Sequence, residues 1–402
     1  MSRILHVCLS NFYVDGYGYQ ENELIRQHVS ENHDVLVLAS TETISKEGKL
    51  VYVAPSEYLG NEGARIKRIP YRRWLPHKVM RKLRMHPKVY YEIERFSPEI
   101  ILFHGTCGWE LRAVTRFARR HPKLKFFIDS HEDANNSAKG FVSRELLHKR
   151  YYGPILRSAI GAAEPILCIS LETIDFVRST YRIPSQKLEF FPLGGHPLPD
   201  EDYTRRRAEW RQKLGLDERH VMFLQTGKFT RAKRLLASLK AFTAIRDPAF
   251  RLFLSGVLTS DDRDEIRDLI DSDARIHFLG WNDAEDLRSL MAASDIYLQP
   301  GSQSVSMQNS MCQRCALIID NVKSHQPFMD GNGYFTQAGR DLDRIFTSIS
   351  ADKGSLPRMQ ARSYEIALAK LDYAKLASRI TSDTAPPAAG DDRPSNPKAH
   401  IA

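Results

Sequence analysis

The hydrophobic pattern of this chain runs through the same cycle twice. Residues 4–8 form a short apolar run. A polar turn with Gly16 and Gly18 follows, then a helical spacing with Leu24, Ile25 and His28 on one side, then a second apolar run over 34–39. Short apolar runs without alternation are the pattern of strands covered on both faces. Residues 99–103, 125–128 and 165–169 continue the series. A stretch dense in Pro and Gly over 192–199 interrupts it, and a charged helix is expected over 205–214. The alternation then restarts, with strands at 221–224, 250–255, 276–278, 296–299 and 316–319 and helices at 233–244 and 261–270. Parallel strands need such crossovers. The pattern therefore predicts an α/β protein of two Rossmann-like, doubly wound domains. The expected limits are 1–192 and 193–345, with C-terminal helices over 346–380 returning to the first domain. A tail over 381–402, rich in Pro, Ala, Asp and Gly, is expected to be disordered.

Composition narrows the function classes. The chain has 402 residues, room for two domains of ordinary size. No apolar run reaches the roughly 18 residues of a membrane span. Five scattered cysteines give no disulfide framework, so a reducing, cytoplasmic setting is expected. The net charge of +9 calls for an anionic partner. No nucleic-acid-binding motif accompanies it, so nucleic acid is not expected. Arg72, Arg73, Lys78, Arg81, Lys82 and Arg84 interleave with Trp74, Leu75, Val79, Met80, Leu83 and Met85. This reads as a basic amphipathic helix, lying either on an anionic membrane at its inner face or on its own domain.

Two segments are candidates for phosphate chemistry. Pro300, Gly301, Ser302, Gln303 and Ser304 sit between a buried strand and a helix start. Free backbone N–H groups and the positive end of a helix dipole make such a loop an anion cradle, and Gly301 permits close approach. The second segment places Gly227, Lys228, Arg231, Lys233 and Arg234 at the end of a strand, where open α/β sheets bind ligands. In the first half, Ser130, His131, Glu132 and Asp133 follow a strand. His131 is a candidate base, with Glu132 and Asp133 as candidate acids beside it. Cys312 and Cys315 have no second pair at zinc spacing and read as buried structural residues. No Asp-x-Asp pattern appears at a strand end, so neither a metal nor another cofactor is expected.

With these motifs in place, residues 224–242 and 276–319 resemble the C-terminal domain of family 4 glycosyltransferases (glycosyl transferases group 1), which have the GT-B fold. Gly227, Lys228 and Lys233 stand at the family's Gly-Arg-Lys positions. Phe278-Leu279-Gly280, Glu285-Asp286-Leu287, Ala293-Ser294-Asp295 and Pro300 follow in order and spacing. The loop with Gly16 and Gly18, His33-Asp34-Val35, and Ser130 to Asp133 are similar to the family's N-terminal half. The resemblance implies two domains facing a cleft and transfer of a sugar from a nucleotide-sugar donor, UDP-linked, to a glycan or lipid-linked acceptor. It implies donor contacts from Gly16, Gly18, Gly227, Lys228, Lys233, Gly301, Ser302, Gln303, Ser304 and Asn309, catalytic roles for His131, Glu132 and Asp133, and retention of configuration. The chain departs from the family where two phosphate-loop glutamates are expected: Gly301 and Asn309 occupy those positions. That departure keeps two alternatives open, a non-catalytic nucleotide-sugar-binding subunit and a UDP-N-acetyl sugar epimerase.

Overall fold

The computed structural model describes residues 1–382 except 12, 46–47, 135, 260–261 and 302–303. The expected disordered tail therefore lies, from residue 383 onward, outside the described residues.

The first half contributes β1 (Arg3–Cys8), β2 (Asp34–Ser40), β3 (Glu42–Ile44), β4 (Leu50–Tyr52), β5 (Glu57–Leu59), β6 (Arg65–Ile69), β7 (Ile100–His104), β8 (Lys125–Ser130), β9 (Ile166–Cys168) and β10 (Leu188–Phe190). Eight of them form one sheet in the order β10-β9-β8-β7-β1-β2-β6-β5. It is parallel except for the edge strand β5. β3 and β4 make a separate antiparallel hairpin. The second half contributes β11 (Val221–Phe229), β12 (Phe250–Leu258), β13 (Ile276–Gly280), β14 (Ile296–Gln299), β15 (Ala316–Asp320) and β16 (Gly333–Thr336). These form an all-parallel sheet in the order β13-β12-β11-β14-β15-β16. Both domains are doubly wound, as expected. The winding direction reverses between β1 and β7 in the first sheet and between β11 and β14 in the second, the places where such sheets open a crevice for ligands.

Both faces of each sheet are covered, which is why the central strands are apolar throughout. Ile4, Leu5, Val7 and Cys8 of β1 are fully buried, and so are Leu24, Ile25 and His28 of the helix Gln20–Ser30 against which one face packs. The chain passes between the domains twice. After β10 it enters the second domain, and at residue 371 it returns. Gly195 lies beside Asp372 in a short parallel bridge: Gly195 N–H donates to Leu371 O (2.7 Å) and Tyr373 N–H to Gly195 O (3.3 Å). A side chain on Gly194 would strike the Tyr373 ring at 2.3 Å. Beyond this point the helix Tyr373–Thr381 joins the core of the first domain through Tyr373, Leu376, Ala377 and Ile380.

Two basic helices differ from the sequence reading. The basic helix expected across Arg72 to Arg84 is only His77–Leu83. Pro76 starts it, because a proline fits the first turn but drives the residue before it out of helical geometry. Arg84 ends it in a left-handed conformation (φ 52°), and Arg72 lies outside it, its Nε donating to His86 O (2.9 Å). The helix expected from Lys233 begins at Leu235, after a 3₁₀ turn at Arg231–Lys233.

The docking of the last helix predicts a graded response. Ile380→Ala should destabilise the first domain by about 2–4 kcal/mol, the cost of a buried Ile cavity. Lys375→Ala, on the exposed side, should stay within about 0.5 kcal/mol. Urea unfolding of the two variants measures the difference.

Candidate functional site

At the winding reversal of the second domain, two loops meet backbone to backbone. β11 runs to Phe229, well past its contact with β14, which pairs only with Phe223 and Leu224. Gly227 has φ +129° and stands opposite Gly256 in register; a Cβ on Gly256 would lie 1.8 Å from Gly227 O. Only the bare backbone allows that approach. The turn Arg231–Lys233 then folds back, held by the Gln225 amide donating to Lys233 O (3.0 Å). Gly301, just beyond β14, closes on this turn: a Cβ there would sit 2.0 Å from Ala232 O. No carboxylate side chain fits at Gly301 without moving the turn. Lys233 is half-buried, its Cε 3.6 Å from where a Cβ on Gly227 would be, and burial lowers its pKa.

The helix Val305–Cys312 starts beside this contact. Ser304 precedes it, but its hydroxyl donates to Gln299 Oε1 (2.6 Å) instead of capping the helix. The Gln299 amide in turn meets His325 Nε2 (3.3 Å), while His325 Nδ1 donates to Asp320 O (2.7 Å). Gln225, Gln299 and His325 were not singled out from sequence; a buried glutamine at a strand end was the available signal. Of the expected donor residues, Gly227, Lys233, Gly301 and Ser304 gather here. Lys228 is exposed at the end of β11, opposite Val257. Asn309 lies farther along the helix, its Oδ1 3.3 Å from a Cβ built on Gly195, at the crossing between domains. Ser302 and Gln303 lie outside the described residues.

The first domain presents a different kind of edge. Asp129, at the end of β8, is buried, and its carboxylate accepts from His104 Nδ1 (2.5 Å) and from Gly105 N–H (2.8 Å). His104 Nε2 meets His6 Nδ1 (2.9 Å), and His6 Nε2 meets His28 Nδ1 (3.1 Å). Burial lowers the pKa of His28 to about 3 and that of His6 well below normal, so both are neutral. Burial alone would raise the Asp129 carboxyl. The His104 imidazole, and after it His131, hold it well below the usual carboxylate range. His131 Nε2 is 3.9 Å from Asp129 Oδ2 with a third of its side chain exposed. Burial opposes its charge, but the hydrogen bond and charge of Asp129 outweigh this and raise its pKa.

Glu132 is held differently. Its carboxylate accepts from the Thr106 hydroxyl and from Tyr181 OH (2.8 Å). The same phenol lies 2.7 Å from His148 Nδ1 and 3.0 Å from Cys107 Sγ. Cys107, Glu132 and His148 are the one set of possible metal ligands whose atoms cluster within 4.8 Å among the described residues. The Tyr181 hydroxyl, donating once and accepting twice, satisfies all three by hydrogen bonding. Burial pushes the Cys107 thiol well up, so it is protonated. Asp133 folds into a local turn, Oδ1 accepting from Asn136 N–H (2.9 Å). Gly16 (φ +79°) serves the loop after β1: its N–H donates to Glu62 Oε1 (3.0 Å), which also receives Asn22 (3.0 Å). Gly18 follows two residues later, near Glu23.

The two edges face each other. The helix Leu171–Tyr181, which starts at the C-terminal end of β9, meets the turn Lys323–Phe328, which starts at the C-terminal end of β15. Lys323 pairs with Asp175, and Ser324 N–H donates to Glu172 Oε1 (2.8 Å).

Comparison with known proteins gives the same architecture. Residues 206–327 match the family described as "Glycosyl transferases group 1", and residues 16–194 match "Glycosyltransferase Family 4". None of the curated protein sequences matches the chain. Among solved structures, a sucrose-phosphate synthase from Thermosynechococcus elongatus is 14% identical, with a TM-score of 0.62 over 95% of this chain and 98% of its own. HepE from Anabaena, solved with UDP, is 13% identical with a TM-score of 0.62 over 95% and 98%. A glycosyltransferase from Rickettsia africae is 13% identical with a TM-score of 0.63 over 95% and 99%.

The raised pKa of His131 fixes a pH dependence. Its contact with Asp129 contributes stability that is full below the unfolded value of about 6.5 and is lost as pH rises through the higher folded value. Asp129→Asn should lower the His131 pKa relative to the native protein, read from imidazole NMR shifts in a pH series. An unchanged midpoint would remove Asp129 from the account.

Proposed function

The chain is a GT-B glycosyltransferase of the family 4 type, and from that premise we propose that it moves a sugar from a UDP-linked donor to a saccharide or lipid-linked hydroxyl, with retention of configuration. The observation that carries the donor reading is the contact of Gly301 with the Ala232–Lys233 backbone, which brings a cation, a bare strand end and an uncapped helix start to one place. Such a place binds a diphosphate. HepE has been solved with UDP and with UDP-glucose, which supports the choice of nucleotide.

In this reading the leaving UDP takes up negative charge, and Lys233 with the first-turn N–H groups of Val305–Cys312 stabilises it. Lys228 and Asn309 would reach the nucleotide from the rim. His131 faces the donor sugar from the opposite domain. Its tie to Asp129 favours the protonated imidazole, which suits a group that donates to the sugar or its phosphate. Glu132 acts through Thr106 and Tyr181 on the shape of that edge. No residue of the site requires a metal in this mechanism. Closure of the two edges excludes water and suppresses donor hydrolysis.

Lys233→Ala should weaken UDP binding by about 1.5–3 kcal/mol, the scale of a charge-assisted hydrogen bond, by calorimetry on the folded variant. A panel of nucleotide sugars screened for transfer or hydrolysis identifies the donor. Wild-type affinity in the variant would refute the placement of the diphosphate.

We also infer a peripheral membrane habit. No helix among the described residues is long and apolar enough to cross a membrane. However, Trp74, Leu75 and Val79 are exposed, as are Phe141, Val142 and Leu146 at the helix Val142–Tyr152. The two groups belong to packed neighbours, since Tyr151 OH donates to Leu83 O (3.2 Å). Lys78, Lys82, Lys139 and Arg144 are exposed around them. Co-sedimentation should favour anionic over neutral vesicles, fade with salt, and drop in Trp74→Ala with Phe141→Ala. Equal recovery with both vesicle types would exclude it.

A further inference from the structure

Between the end of β1 and the short helix His77–Leu83 lies a cavity of ≈ 300 Å³, at the lower end of the about 300–1,000 Å³ of small-molecule sites. Its wall carries three cations, Arg81, Lys82 and Arg84, against one carboxylate, Glu42. Glu42 is already engaged: it accepts from Tyr71 OH (2.8 Å) and lies 3.7 Å from Arg81 Nε. The remaining two positive charges have no counter-charge in the wall.

Arg84 is the informative member. It closes the helix in the left-handed conformation (φ 52°), a position that favours Gly or Asn, and side chains stay there only where their surroundings hold them. The turn sends a half-buried guanidinium toward the sheet, where it donates to Cys107 O (3.0 Å). Among the described residues no carboxylate lies within ion-pair distance of it. A half-buried guanidinium bonded to one carbonyl has donors to spare, and Glu132 acts on its charge only from beyond ion-pair distance. Ser10, 1% exposed, lines the same cavity, and its hydroxyl has no hydrogen-bond partner among the described residues. Ser10 follows β1 and Cys107 follows β7, so the cavity opens at the winding reversal of the first sheet. Cys107 also joins the cluster of Glu132, the residue after His131.

We propose that this cavity seats a phosphate group of the acceptor, with Arg84, Lys82 and Arg81 as its cations and Ser10 as a hydroxyl donor. The inference rests on the reading of the first domain as the acceptor side. It narrows the acceptor to a phosphorylated saccharide or a saccharide phospholipid. A neutral sugar would leave two cations and the Ser10 hydroxyl unanswered, whereas a phosphate dianion matches the surplus and accepts a fork of guanidinium hydrogen bonds.

The test uses the full chain, with and without UDP, titrated with inorganic phosphate, glucose 6-phosphate, decyl phosphate and glucose. The phosphate-bearing probes should bind and glucose should not. Arg84→Gln and Lys82→Gln should each weaken phosphate binding about ten-fold or more, as loss of a charge-assisted hydrogen bond does, with UDP affinity unchanged. Lys82 is exposed, so its variant reports even where Arg84→Gln disturbs folding. Tighter binding of decyl phosphate than of glucose 6-phosphate would indicate a lipid phosphate, and the reverse a soluble sugar phosphate. Equal phosphate binding by the native protein and both variants, or equal binding of glucose and glucose 6-phosphate, would overturn the proposal. Failure of the native protein to bind UDP would instead count against the nucleotide-sugar reading, and the phosphate series would still be read.

Discussion

The bridge between Gly195 and Asp372 is the constraint on which the arrangement of the molecule depends. Each domain is complete as a sheet with helices on both faces. Nothing inside either one dictates how it meets the other. That is decided where the chain crosses, and it crosses twice at one place, with two backbone hydrogen bonds and the Tyr373 ring pressed on Gly194. With the crossings fixed there, and the Glu172–Ser324 contact linking the far ends of β9 and β15, both sheets direct their C-terminal edges into a common space. Parallel sheets carry ligands at those edges, so the crossing is what would let the two folds share the proposed site.

The two edges are built on opposite principles. The second domain uses backbone. Gly227, Gly256 and Gly301 have no side chains, and the close approaches they allow leave peptide N–H groups and one lysine to meet a ligand. The first domain uses buried side chains. Asp129, Glu132 and Arg84 lie in or near the interior, each held by hydrogen bonds to imidazoles, hydroxyls or a carbonyl. On the proposed donor assignment, a backbone cradle suits the diphosphate that donors of a class share. An acceptor differs from enzyme to enzyme, and side chains can change without altering the sheet.

Much of this was legible in the sequence because parallel strands covered on both faces write themselves as apolar runs. β1, β2, β7, β8, β11, β12, β14 and β15 were placed within a few residues. The sequence marks the loops at Gly227 and Gly301 as expected phosphate sites, but their backbone contact is not legible in it. The short strands β3 to β6 and β16 were missed. β3, β4 and β5 are half-exposed at the sheet edge or in a hairpin, where no apolar run is required, and in β6 the run is broken by Lys67 and Arg68. The basic helix is shorter than its charge interleaving suggests, because Pro76 sets its start and Arg84 its end. Asp129 and His104 went unnoticed because each sits inside an apolar strand and gains its meaning only from a partner on another one. His6 and His104 are 98 residues apart in the chain and touch through a register that no local pattern records.

The imidazoles behind Asp129 are joined in a row. An ionised carboxylate can only accept, so His104 donates to it from Nδ1. In each of the next two contacts, His104 Nε2 with His6 Nδ1 and His6 Nε2 with His28 Nδ1, one nitrogen must carry the proton and the other the lone pair. His6 and His28, kept neutral by burial, each have one proton for two nitrogens, so the tautomer of one ring fixes that of the next. The row therefore behaves as one unit: a change of side chain on the helix Gln20–Ser30 at His28 is passed by proton placement to the end of β8, with no movement of the backbone between them.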